Sequence, residues 1–231
     1  MEMPMFRALA AAIVLTLTAP AALAGPEPDI KALKAAMSGL YVIVPTNTET
    51  GVAVTEEVTD ADGSNPRNVV VAFLDAATAA EQVQAAGIGA HSEGGLINAG
   101  DLYETRGGDV TWISSIANAS LVNGTPTRPP VFYITNPDDQ PLTKVIDGKE
   151  KVIFYVDAVA ADSARVAAQN TLSAAGHPMD LSVVAGDFEA LVQGILDGKV
   201  TDVHFAASPS VLRWLEQWNS GARLIKDYQP E

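Results

Sequence analysis

No cysteine occurs among the 231 residues. That excludes a disulfide frame, a thiolate zinc site and a thiol nucleophile. Basic side chains are scarce as well, 14 Lys and Arg against 28 Asp and Glu. A net charge of -14 opposes binding to nucleic acid, which needs a basic patch, and to anionic lipid. Neither a Gly-x-Ser-x-Gly elbow, a P-loop, nor Gly-x-Gly-x-x-Gly after a strand is present, so the local signatures of serine hydrolases and nucleotide enzymes are missing. Long apolar runs are missing too: the one at residues 8–18 has about 11 residues, where a bilayer span needs about 20.

That short run belongs to an export signal. Arg7 supplies the positive region, residues 8–18 the apolar core, and Ala22, Leu23 and Ala24 a small-residue cleavage site. The expectation is a signal peptide over residues 1–24, cleavage near Ala24, a periplasmic location and no stable membrane insertion afterwards. Without Glu2 and Arg7 the remainder keeps 13 basic and 27 acidic residues, still -14.

The rest is written twice. Residues 70–86 (VVAFLDAATAAEQVQAA) and 152–168 (VIFYVDAVAADSARVAA) each run from an apolar stretch through an aspartate into alanine-rich sequence, with Asp75 matching Asp157 at an offset of 82. Upstream, residues 131–136 (VFYITN) answer 42–47 (VIVPTN) at 89, a difference that places an insertion in the acidic turn of residues 60–66. Downstream, residues 96–102 (LINAGDL) answer 182–188 (SVVAGDF) at 86, which also pairs His91 with His177. Residues 109–115 answer 202–208 at 93. Ordered matches of this kind mark a duplicated unit.

Each unit reads as a hairpin, a third strand, an alanine-rich helix, a short strand, a helix opening at Gly-Asp and a last strand, so the fold class is α/β in the mixed α+β sense. The expected division is an N-terminal helix at 25–38 capped by Asp29, a first half at 39–122, a Pro-rich linker at 123–130 and a second half at 131–231. The first strand is expected over residues 40–44, stopped by Pro45. Phe188, Leu191, Val192, Ile195 and Leu196 form one apolar helical stripe ended by Gly198, and Val211, Trp214, Leu215 and Trp218 form another.

Repeated polar residues are the candidates for chemistry. Asp75 and Asp157 could be paired acids, but each stands where a strand hands over to a helix, so capping is the favoured role. Asp101 and Asp187, each after a glycine and before an apolar stripe, receive the same reading. His91 and His177 do not complete a metal site, and the third histidine, His204, stands on an expected strand. Residues 60–65 look like a calcium loop, yet lack the glycine and glutamate positions of an EF-hand. No catalytic, cofactor-binding or metal residue is assigned. Trp214, Leu215 and Trp218 are candidates for a partner-binding edge, against core packing as the plainer reading.

Residues 130–136 (PVFYITN), Pro141-Leu142, residues 152–158 (VIFYVDA) and 184–188 (VAGDF) together resemble the Tic twenty-two family, named for a soluble subunit of the chloroplast import machinery, with relatives in bacterial periplasms. The resemblance spans about residues 39–208. It implies a two-lobed α/β protein with pseudo-two-fold symmetry and apolar grooves, acting without catalysis as a chaperone-like escort. A weaker similarity is to SseB-like domains. The expectation is a non-enzymatic protein that binds polypeptide clients or outer-membrane assembly machinery, in outer-membrane biogenesis or protein transport, near the junction of the halves. The alternative is an enzyme or small-ligand binder with its site at that junction.

Overall fold

The computed structural model describes residues 28–59, 64–115, 118 and 128–230. The export segment, positions 60–63 of the calcium-like turn and positions 123–127 of the linker lie outside the described residues. The elements run in chain order α1 (Ile30–Ala36), β1 (Tyr41–Asn47), β2 (Thr55–Val58), β3 (Arg67–Phe73), α2 (Ala76–Ala85), β4 (Ser92–Asn98), α3 (Ala99–Arg106) and β5 (Val110–Ile113). They continue with β6 (Pro130–Thr135), β7 (Thr143–Ile146), β8 (Lys149–Tyr155), α4 (Ala158–Ala174), β9 (Ser182–Asp187), α5 (Phe188–Leu196), β10 (Val203–Ala206) and α6 (Pro209–Asn219). Short 3-10 turns occupy Gly89–His91 and Ile225–Asp227.

Two five-stranded sheets result, of one topology. In the first, Val70 pairs with both Thr55 and Val110, and Phe73 with both Ile43 and Ile113. The hairpin arms β1 and β2 therefore share one edge of β3, and the parallel β5 takes the other. In the second, Val152 pairs with Thr143 and Val203, and Tyr155 with Phe132 and Ala206, which is the same scheme. The repeat offsets are thus readable in hydrogen bonds: Ile43 matches Phe132 at 89, Phe73 matches Tyr155 at 82, and Val110 matches Val203 at 93. Thr55 matches Thr143 at 88 while Val70 matches Val152 at 82, so the first unit's extra residues fall between β2 and β3.

Three expectations are corrected. Tyr41 pairs with Asn98 and Pro130 with Asp187, so the fourth strands match at 89, not 86. His91 and His177 are consequently not equivalent positions. Asn98, not Asp101, caps α3, its Oδ1 accepting from Gly100 N at 3.0 Å. Asp101 instead lies in the first turn and pairs with Lys34 of α1 at 2.8 Å. Pro45 does not stop β1: the strand continues to Asn47, and the Pro45 carbonyl accepts from Val54 N across the hairpin at 2.7 Å.

The other caps stand where expected. Asp29, Asp75, Asp157 and Asp187 accept from Ala32, Thr78, Ala160 and Ala190 N at 2.7 to 2.9 Å, each contributing about 1 kcal/mol. Asp75 and Asp157 carry a second bond that crosses between units. Ser210 at the start of α6 donates to Asp75 Oδ2 at 2.6 Å, and its oxygen accepts from Ala76 N at 3.0 Å. Asn118 donates to Asp157 Oδ2 at 3.3 Å and accepts from Ala158 N at 2.9 Å. In both directions, a residue just beyond the last strand of one unit braces the first helix of the other.

One core serves both halves. Val42, Val70, Leu102 and Trp112 from the first share a buried cluster with Val131, Phe188, Ile195 and Phe205 from the second. The N-terminal helix reaches across too, since Asp29 N donates to Leu196 O at 3.0 Å.

Candidate polypeptide-binding groove

With the inner faces of the sheets committed to that common core, the outer faces decide what remains available. The first sheet's outer face is closed. Strand residues Ile43, Val71 and Phe73 lie under α2, and α6 with the following tail completes the cover through Val211, Trp214, Ile225 and Tyr228. The tail also lies along the sheet edge: Gly94 N donates to Arg223 O at 2.9 Å, and Glu93 bridges to Leu224.

The second sheet's outer face has only α4 over it among the described residues. Its buried outer cluster is Phe132, Ala158 and Ala161, three residues against eleven on the first sheet. Among the described residues no second segment covers this face as α6 and the tail cover the first, and α4 itself leaves space. Alanines at 164, 167 and 168 present methyl groups where longer side chains would fill the gap to the sheet. A groove of about 560 Å³ remains, floored by Ile134, Ile153 and Tyr155 and flanked by Leu142. On the helix itself Val159 and Val166 are 72% and 42% exposed. Burial pushes the Tyr155 hydroxyl pKa up from its ordinary value, so the phenol stays neutral on the groove floor.

The partner-binding candidates on α6 do not meet at this groove. Trp214 is 0% exposed and its Nε1 donates to Gly94 O at 2.8 Å. Trp218 is half-buried, edge-on to Trp214, with the Arg223 guanidinium 4.4 Å above its ring centre. Leu215 is half-buried. Trp214 is therefore closed to a partner while α6 stays docked.

The junction between halves holds a smaller cleft, about 390 Å³, lined by Tyr103, Trp112, Glu189 and Gln193. Its rim cation, Arg67, pairs with Asp109 at 2.7 Å, and both side chains are more than half exposed. Among the described residues no three His, Asp or Glu side chains stand close enough to hold a metal ion. His91 is exposed beside Glu49 at 3.5 Å. No described helix is long and apolar enough to cross a membrane.

His204 is the polar residue that sequence reading undervalued. It stands on β10 against Gly39, where an added Cβ would lie 2.8 Å from Nε2, and its buried Nδ1 has no hydrogen-bond partner among the described residues. Burial pushes its pKa below the ordinary 6.5, Lys151 and Lys144 act in the same direction, and Asp147 opposes them. The unfolded chain therefore binds this proton first on acidification. The stability contributed by neutral His204 is present above pH 6.5 and is lost as pH falls through the lower folded value. Urea midpoints measured from pH 7.5 to 5 should show a His204-dependent decline that His204→Gln removes; identical profiles would rule out this titration.

Two solved structures share the arrangement. Anabaena Tic22, a protein-transport protein, superposes with a TM-score of 0.59 at 12% identity, covering 81% of this chain and 96% of its own. Tic22 from Plasmodium falciparum superposes with a TM-score of 0.59 at 15% identity, covering 82% and 98%. At such identities the likeness is one of fold. No family model matches the sequence, and no curated protein matches it.

Proposed function

We propose, with the Tic22 fold as premise, that the protein works in protein transport as a non-enzymatic escort that holds polypeptide segments in the groove beneath α4. The observation that carries this reading is the asymmetry of the outer faces. One is sealed by the chain's own C-terminal segment, and the other leaves an apolar groove of about 560 Å³ open. The protein-transport role of Anabaena Tic22 supports the same direction. The N-terminal sequence supports a periplasmic site of action, with outer-membrane proteins in transit or their assembly machinery as partners.

The magnitudes suit an escort. Burying one or two large apolar side chains gives roughly 1.5–3 kcal/mol each, much of it offset by the cost of association. Binding is therefore weak and fast to reverse, as release of a client demands. An enzyme would need polar groups converging where substrate sits. The groove floor is apolar, and the charges at the junction cleft are exposed and paired.

Filling the groove tests the reading. Ala168→Trp places an indole in open space rather than in packed core, so the fold should be retained. The variant should lose about tenfold in affinity for an unfolded outer-membrane protein, ~1.4 kcal/mol, measured by fluorescence anisotropy. Unchanged affinity would remove the groove from the account.

A further inference from the structure

The groove has a charged margin that its apolar floor does not explain. On β8, Val152 and Phe154 pack against the shared core, while Ile153 and Tyr155 face the groove. The two-residue period of a strand then puts Lys149 and Lys151 on the same side of β8, where they line a neighbouring cleft with Asp29 and Asp202 next to the groove. Directly across the hairpin from Lys151 stands Lys144, which lines the groove itself. Like charges placed opposite each other on neighbouring strands are destabilising.

Not every basic side chain in this chain of net charge -14 is paired. Lys34, Arg67, Arg128, Arg165, Lys199 and Lys226 all pair with carboxylates. Among the described residues, Lys144, Lys149 and Lys151 make no ion pair, and Lys31 and Arg106 also lack one. The hairpin's own acids do not neutralise them. Glu150 stands opposite Val145, on the alternate side of the strand, and Asp147 sits in the turn with φ of 52°. On β10, His204 stands beside Ile153 of β8; Lys151 and Lys144 disfavour its protonation and Asp147 opposes them.

We propose that the groove selects polypeptide segments in which an apolar stretch is followed closely by carboxylates. The apolar part lies over Ile134, Ile153 and Tyr155, and the acidic residues lie against Lys144 and Lys151, with Lys149 further along the hairpin. This inference rests on the groove being a polypeptide site. It adds a charge preference opposite in sign to what the protein's net charge would give, because a chain at -14 should favour basic segments by long-range attraction.

That opposition makes the test sharp. Three dye-labelled peptides share one Leu- and Phe-containing stretch and differ in three terminal residues, all Glu, all Gln or all Lys. Anisotropy titrations with the full chain should show the Glu peptide binding at least about fivefold more tightly than the Gln peptide, a ratio that shrinks with added salt. The double variant Lys144→Gln with Lys151→Gln keeps the length of an exposed and a half-buried side chain and removes a like-charge pair, so the fold should be retained. It should abolish the ratio while the Gln peptide binds as before. Tightest binding of the Lys peptide, or a Glu preference that survives in the double variant, would overturn the proposal and leave the groove intact. Binding of none of the three would overturn the groove reading as well. Capture of vesicles of phosphatidylglycerol and phosphatidylcholine without any peptide preference would assign the lysines to lipid headgroups and equally overturn it.

Discussion

Trp214→Ala is expected to lower unfolding stability by about 3–5 kcal/mol, the range for removing a fully buried large aromatic. The side chain is 0% exposed and stands edge-on to Trp218 and Tyr228, with ring centres 6.2 and 6.4 Å away. Its indole slots against Gly94, where an added Cβ would lie 2.9 Å from the ring. Truncation would leave the Gly94 carbonyl without the Trp214 donor and loosen the contact of α6 with β4. Trp214→Phe keeps a ring and loses the N–H, so it should cost less, about 1–3 kcal/mol. Urea unfolding followed by far-ultraviolet circular dichroism measures both. A loss below 1 kcal/mol for the alanine variant would mean that α6 does not seal the first sheet.

Phe188→Ala should cost a similar amount, about 3–5 kcal/mol, and should destabilise both halves together. Phe188 is 0% exposed. It meets Trp112 of the first half edge-on at 5.4 Å and Phe205 of the second at 5.5 Å. A core shared in this way gives one cooperative transition rather than two. Tryptophan fluorescence reports mainly the first sheet and α6, whereas circular dichroism reports the whole. In the variant both signals should move to the same lower midpoint. Separated midpoints would show that the halves unfold independently.

Much of this fold is legible in the sequence because strands repeat their apolar pattern. Val70 to Leu74 and Val152 to Val156 match as hydrophobic runs, and the hydrogen-bonded register returns their offset of 82. The aspartates after them read correctly as caps because a carboxylate at a strand-to-helix step has a local job. The misreadings came where letters matched but roles did not. Gly100-Asp101 and Gly186-Asp187 look alike, yet the cap matching Asp187 is Asn98, three residues earlier, since Asn and Asp both accept from the second or third helical N–H. Matching by letters shifted the register by three and drew His91 and His177 into a false equivalence.

The groove itself could not be read from the chain. The two alanine-rich helices look interchangeable, and nothing local in Ala164 or Ala168 says that the sheet beneath them will be left open. What separates α4 from α2 is a tertiary event, the passage of residues 209–228 onto the first sheet. Trp214 and Trp218 were visible as an apolar stripe, but which surface the stripe covers depends on that crossing. The basic margin was hidden for a related reason. Lys144 and Lys151 lie seven residues apart, and only the β7–β8 pairing puts them opposite each other.

Hydrogen exchange of the protein with and without an unfolded outer-membrane protein tests the central claim most directly. Bound client should slow exchange in Thr143–Ile146, Lys149–Tyr155 and the middle of Ala158–Ala174, the elements that frame the groove, and leave Pro209–Asn219 unchanged. Protection confined to Pro209–Asn219 or to the junction cleft, or no protection at saturating client, would contradict it.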